Sequence, residues 1–301
     1  MITVKVPATA ANLGSGFDTL GLALDLMLEV KIKPAVNENK IEFCGYGASD
    51  IKQNPDSNLI LKAMHKVFTK AGAVMPPIEL YAKNNIPVGK GLGSSAAAII
   101  AGLYAGNMLL KNRFNEKELI NMAVFLEGHA DNVVPAAVGG LTAVMVDKDE
   151  VYYKKLKFPG ELKIIALVPD FILPTKKART VLPEKVGIKE VTSALQKACF
   201  LALSLNNGDF EFLDKAMSDE LFQTARKRFI PGFDEVIREA RKAGALGAAL
   251  SGAGPSIIAF SLEREHFIGK RMQDVWALHG INSDVFYLKA YENGVICEKT
   301  L

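Results

Sequence analysis

Between Ile86 and Leu110 the chain reads IPVGKGLGSSAAAIIAGLYAGNMLL, with glycines at Gly89, Gly91 and Gly93, hydroxyls at Ser94 and Ser95, and no charge between Lys90 and Lys111. Glycines at alternate positions let successive backbone N–H groups turn inward as an anion-binding nest, and Ser94 or Ser95 suits the N-cap of a following helix. The unpaired N–H groups of that helix's first turn, and the positive end of its dipole, converge on one spot. The chemistry such a spot offers is phosphate binding.

Other readings of the same stretch can be tested on the residues. A P-loop needs glycine five positions before Gly89, where Asn84 stands, and Ser or Thr after Lys90, where Gly91 stands. A dinucleotide fingerprint fits Gly91, Gly93 and Ala96, but no Asp or Glu occurs from Ser94 to Asn115 to meet a ribose. A Gly/Ala-rich helix packed in a core remains compatible. A transmembrane helix is disfavoured, because the run is short and contains Gly, Ser, Asn and Tyr.

The remaining polar residues carry weaker signals. Asn12 and Asp18, in the stretch ATAANLGSGFDTLGLAL, are turn formers or ligand contacts. His65, His129, His266 and His279 are scattered, each reading as a surface or packing residue rather than a metal ligand. Cys44, Cys199 and Cys297 lie far apart, without zinc or disulfide spacing, and read as small buried hydrophobes of a reduced compartment. Lysine plus arginine number 36 against 33 acidic residues, too near balance for a nucleic-acid partner. The chain starts directly in strand-like sequence, with no leader pattern, so a cytoplasmic protein with no membrane partner is expected.

The elements that must position these residues follow from periodicity. Ile2, Val4 and Val6 alternate up to Pro7 as a short strand, and a second runs from about Leu20 to Pro34. Further strands fall at 41–47 and 78–82, with helices at 58–71, after Ser94, and from Asn115 to about Gly128. A hairpin turns around Asp147 to Glu150. At 301 residues two packed domains are expected, and the polar stretch from Lys154 to Glu161, with Pro159-Gly160, marks the boundary. The domains are therefore taken as 1–155 and 156–301. The second contains a strand (162–168), a basic loop TKKARTVLP, a long helix to Asn207, shorter helices, a helix over 233–243, two strands within GALGAALSGAGPSIIAF, a helix and a final strand over 283–289. This order points to a ferredoxin-like layer.

Three stretches, PATAANLGSGFDTLGLAL, PVGKGLGSSAAA and GALGAALSGAGPSIIAF, together resemble the three motifs of the GHMP kinase superfamily. Within it, the NLGxGFD form of the first motif, EGHADNVVPA, and Thr175 with Arg179 resemble the homoserine kinases. The resemblance covers nearly the whole chain. It implies an α+β, two-domain fold, in which the N-terminal ATP-binding domain has a left-handed β-α-β unit and the C-terminal domain is ferredoxin-like. It implies phosphorylation of L-homoserine by ATP to O-phospho-L-homoserine in threonine biosynthesis. The alternatives are another GHMP small-molecule kinase or a non-catalytic member of the fold. It also allows a homodimer.

Residue by residue, the resemblance puts the nucleotide phosphates on Pro87, Val88, Gly89, Lys90, Gly91, Leu92, Gly93, Ser94, Ser95, Ala96 and Ala97, and Mg²⁺ on Ser95 and Glu127. It puts homoserine on Asn12, Asp18, Asp131, Thr175, Arg179 and Arg226, the two arginines facing its carboxylate. Glu127 and Asp131 are the implied catalytic residues, with the general-base role of Asp131 left open because the first motif holds no lysine. The third motif, Ser251, Gly252, Ala253 and Gly254, supports the loop. Ser15 and Ala130 stand where many relatives have proline, which affects loop stiffness more than chemistry.

Overall fold

The computed structural model describes residues 1–49 and 58–300. In chain order its elements are β1 (Ile2–Asn12), β2 (Gly16–Pro34), β3 (Lys40–Gly45), α1 (Leu59–Lys70), β4 (Ile78–Asn84), α2 (Ser94–Leu109), α3 (Glu116–Glu127), α4 (Val133–Val138), β5 (Leu141–Asp147) and β6 (Glu150–Leu156). There follow β7 (Lys163–Pro169), α5 (Thr175–Arg179), α6 (Ile188–Asn207), α7 (Leu213–Ala216), α8 (Phe222–Arg226), α9 (Phe233–Lys242), β8 (Gly247–Leu250), β9 (Ile257–Ser261), α10 (Glu265–Leu278), β10 (Ser283–Leu288) and β11 (Ile296–Lys299).

Among the described residues these strands make a seven-stranded sheet, ordered β11-β1-β2-β4-β3 with β5 and β6 branching from β2, and a four-stranded sheet, ordered β10-β7-β9-β8. The second sheet is antiparallel throughout, which is the ferredoxin-like arrangement. In the first, β3 and β4 run parallel, with α1 between them in the chain. The hairpin forms as expected, with Asp147 opposite Glu150.

One core crosses both halves. Along β7 the side chains alternate, so that Ile164, Ala166 and Val168 join the cluster under the first sheet, while Ile165 and Leu167 join a second cluster with Phe233, Val236 and Trp276 from α9 and α10. The helix α2 is apolar on all sides and correspondingly buried, from Ala96 to Asn107. Glycine rather than a larger residue at Gly102 lets α1 approach, because a Cβ there would strike the Ile60 carbonyl.

Several expectations need correction. β1 does not stop at Pro7 but continues to Asn12, with a register shift between Pro7 and Ala8 that accommodates the missing N–H. The stretch TKKAR is a short helix rather than a loop, too brief to show an apolar period. The strand over 283–288 is not the last, because β11 returns to pair with β1. The cysteines are not buried: Cys44 is half-buried, while Cys199 and Cys297 are exposed. Cys199 sits on a helix whose buried residues are only Leu201, Ser204 and Leu205, so the apolar run around it does not report burial.

Candidate active site

The turn joining β4 to α2 is held from three directions. Asn84 closes it from below, its amide donating to the Ile86 carbonyl and accepting from the Ile86 N–H, both at 3.0 Å. From the first motif, the Thr9 N–H donates to the Leu92 carbonyl at 3.1 Å. From the third, the Ser251 hydroxyl donates to the Gly91 carbonyl at 2.7 Å and the Ser256 N–H to the Lys90 carbonyl at 3.2 Å. With these carbonyls engaged, the loop's N–H groups are the ones left to face a ligand. The packing requires glycine: Gly91 and Gly93 have φ of 81° and 69°, and Cβ atoms would strike the Ser251 carbonyl and the Thr9 hydroxyl.

The expected serine N-cap is not formed. Gly93 occupies the N-cap position in the left-handed region, with no side-chain cap bond. This leaves Ser95 free to donate to Glu127 Oε2 at 2.6 Å. Glu127 is the last residue of α3, where the helix dipole disfavours a carboxylate; α3 is fixed at its other end by a capping box between Asn115 and Glu118. The preassembled hydroxyl and carboxylate fit a hard cation that takes oxygen ligands and keeps waters. Among the described residues no group of three or more His, Cys, Asp or Glu is arranged for a metal.

Beyond α3, His129 Nδ1 lies 2.7 Å from Asp131 Oδ1 and its Nε2 lies 3.8 Å from Glu127 Oε1. Burial pulls the imidazole pKa down, but the Asp131 bond and charge, with Glu127 behind, leave it raised overall. Asp131 itself is 2% exposed and also accepts from the Asn132 amide. No hydrogen bond is made to its Oδ2 among the described residues.

The opposite wall comes from the β1–β2 turn and two short helices. Asn12, Leu13 and Asp18 all have positive φ, and the Asn12 amide is engaged at both ends, accepting from the Asp18 N–H and donating to the Gly252 carbonyl, each at 2.9 Å. Arg179, closing α5, forks onto Asp18. Arg226, closing α8, is buried, donates from Nη1 to the Gly252 carbonyl at 3.2 Å and leaves Nε unpartnered. Burial, then the like charge of Arg179, lower the Arg226 pKa, while the Asp18 pair more than offsets burial at Arg179.

A cavity of about 110 Å³ lies between these walls. Of the expected residues it gathers Asn12, Asp18, Asp131, Glu127, Thr175, Arg179 and Arg226, together with Pro87, Gly89, Gly91, Leu92, Gly93, Ser94 and Ser95, and Gly252 and Ala253 of the third motif. Others lie outside it. Ala96 and Ala97 are buried in α2, and Val88 is 41% exposed. Lys90 donates to the Phe171 carbonyl at 2.8 Å, and burial lowers its pKa. Ser251 and Gly254 act on the loop's far side. Sequence reasoning missed His129 and Asn132, which line the cavity. Their signal was the stretch EGHADN itself, from which only Glu127 and Asp131 were assigned to the site.

The chain has relatives in sequence and in fold. The model of the GHMP kinases N terminal domain matches residues 58–140, and that of the GHMP kinases C terminal matches 200–278. A homoserine kinase of Carboxydothermus hydrogenoformans is 39% identical over 98% of this chain and 96% of its own length. The solved homoserine kinase of Cytophaga hutchinsonii has a TM-score of 0.87 at 32% identity, covering 99% of this chain and 97% of that one. A mevalonate kinase of L. major, solved with R-mevalonate, shares the fold at 15% identity, with a TM-score of 0.73 over 95% of this chain and 94% of its own.

Proposed function

The chain belongs to the GHMP kinases, and from that premise we propose that it transfers the γ-phosphoryl group of ATP to the terminal hydroxyl of L-homoserine, giving O-phospho-L-homoserine for threonine biosynthesis. The observation that carries the substrate assignment is the wall opposite the glycine loop: Arg179, Arg226 and Asp18 present two cations and one anion to a small cavity. That set is complementary to an amino acid and poorly suited to a sugar.

Each residue's part follows from its surroundings. The N–H groups of the loop and of the first turn of α2 hold the β- and γ-phosphates. Ser95 and Glu127 would hold Mg²⁺, which when bound draws charge from those phosphates. Arg179 and Arg226 take the substrate carboxylate, and Asp18 takes its ammonium. Asp131, held by His129 through Oδ1, would use Oδ2 for the substrate hydroxyl. A loose transition state leaves little need for a strong base, so we assign Asp131 to positioning. The division at 155/156 remains our reading of the two domains. No helix among the described residues is long and apolar enough to cross a membrane. We further propose that the enzyme works in the cytoplasm.

The test is an ADP-release assay with ATP and Mg²⁺, comparing L-homoserine, mevalonate, galactose and L-serine. Turnover selective for homoserine is the expected result. Preference for any other acceptor, or none with all four, overturns the proposal.

A further inference from the structure

Behind the two arginines lies an aromatic residue that makes no hydrogen bond through its side chain and does not line the cavity. Phe17, in the β1–β2 turn, stacks on Phe222 with ring centroids 3.6 Å apart and planes 11° apart. Phe222 opens α8, and Arg226 follows one turn later on the same side of that helix. The Arg226 guanidinium carbon lies 5.1 Å from the Phe17 ring centroid, and that of Arg179, from the separate helix α5, lies 5.7 Å away. Both fall within the roughly 6 Å over which a ring's quadrupole attracts a cation. One ring therefore serves two like charges that arrive on different helices.

Resting on the homoserine reading above, we propose that Phe17 is a positioning residue for the substrate carboxylate, its ring fixing the spacing of Arg179 and Arg226. The arginines need such a device. Arg226 is 3% exposed, with one hydrogen bond and an unpartnered Nε, so hydrogen bonding alone leaves its fork underdetermined. Its neighbour of the same sign pushes it away, and the ring attracts both. The stack on Phe222 orients the ring, tying the first motif to α8 through side chains alone.

The experiment compares kinetics of the full chain as wild type, Phe17→Leu and Phe17→Tyr, with thermal melting of each. Phe17→Leu raises the KM for homoserine about tenfold, or roughly 1.4 kcal/mol, with kcat and the KM for ATP changing by less than about twofold. Phe17→Tyr keeps the ring and stays within about threefold of wild type in homoserine KM. An unchanged homoserine KM in Phe17→Leu, an equal loss for both substrates and kcat, or a Tyr variant no better than the Leu variant each overturns the proposal. Should Phe17→Leu not fold, Phe222→Leu frees the ring from its stack and raises the homoserine KM in the same direction; no rise overturns it. Wild-type failure to phosphorylate homoserine would count against the function proposed above, whereas wild-type turnover with an indifferent Phe17→Leu counts against this inference alone.

Discussion

Arg179 and Asp18 form a bidentate pair in the lining of the cavity, Nη1 to Oδ2 at 3.1 Å and Nη2 to Oδ1 at 2.7 Å, and in the proposed assignment a substrate carboxylate meets the same guanidinium. In the free protein each neutralises the other. A zwitterion can replace that one pair with two, its carboxylate on the arginine and its ammonium on the aspartate, whereas a simple anion would leave Asp18 without a partner. On the proposed assignment the pair would filter substrates by charge pattern before any chemistry occurs.

Replacing Arg179 by Ala should therefore affect binding rather than folding. Both side chains are 36% exposed, so the pair contributes less than about 1 kcal/mol to stability. Loss of charge-assisted bonds to the carboxylate should raise the homoserine KM roughly ten- to a hundredfold. Steady-state kinetics with a parallel melting curve separate the two effects. An unchanged KM would remove Arg179 from the substrate site.

Glu127→Ala should leave ATP bound but nearly inactive, with kcat down by at least about a hundredfold. Ser95→Ala should fall in the same direction, because the two side chains meet at 2.6 Å and on the proposed assignment would hold the same ion. Calorimetric titration with ATP and rapid-quench turnover would check this. A variant that loses ATP affinity and kcat together points instead to a collapsed loop.

Gly93→Ala combines a left-handed backbone, φ 69°, with a Cβ driven into the Thr9 hydroxyl. A cost of about 1–3 kcal/mol is expected. Urea unfolding would measure it. A stability equal to wild type would mean the loop reshapes easily, and rigidity would then not explain its glycines.

Cys297 offers a pH-dependent readout. The residue is exposed as a whole, yet its thiol is desolvated and burial pushes its pKa up to about 11 from 9.0. Alkylation at Cys297 should be slow at pH 8 and accelerate up to about pH 11. The linkage has a definite sign: the folded state holds this proton more tightly, so its contribution to stability is complete below pH 9 and is lost as pH rises toward 11. Mass spectrometry of labelled peptides across pH tests the first statement, and melting curves of wild type against Cys297→Ser test the second.

What the chain reveals by itself depends on the kind of signal. Residues joined by spacing were legible: the glycine loop, the helix opened at Asn115 and the hairpin at Asp147 to Glu150 each follow a local rule. Arg226 came only from the resemblance, since by itself a basic residue near α8 reads as surface charge and only long-range folding buries it. His129 carried no spacing at all, and its role depends on two carboxylates on either side of it. The serine cap failed because Thr9 and Gly93 share one small space, a contact more than eighty residues apart in sequence. β1 passed through Pro7 because the neighbouring strand shifts register there, which composition does not record.

The return of β11 to pair with β1 makes the two halves mechanically inseparable. A fragment ending near residue 155 would present Ile2 and Val4 along an uncovered strand edge, an invitation to aggregation. The first sheet also cannot melt without releasing a strand that belongs, by sequence, to the other half, so heat or denaturant should meet a single cooperative unit rather than two.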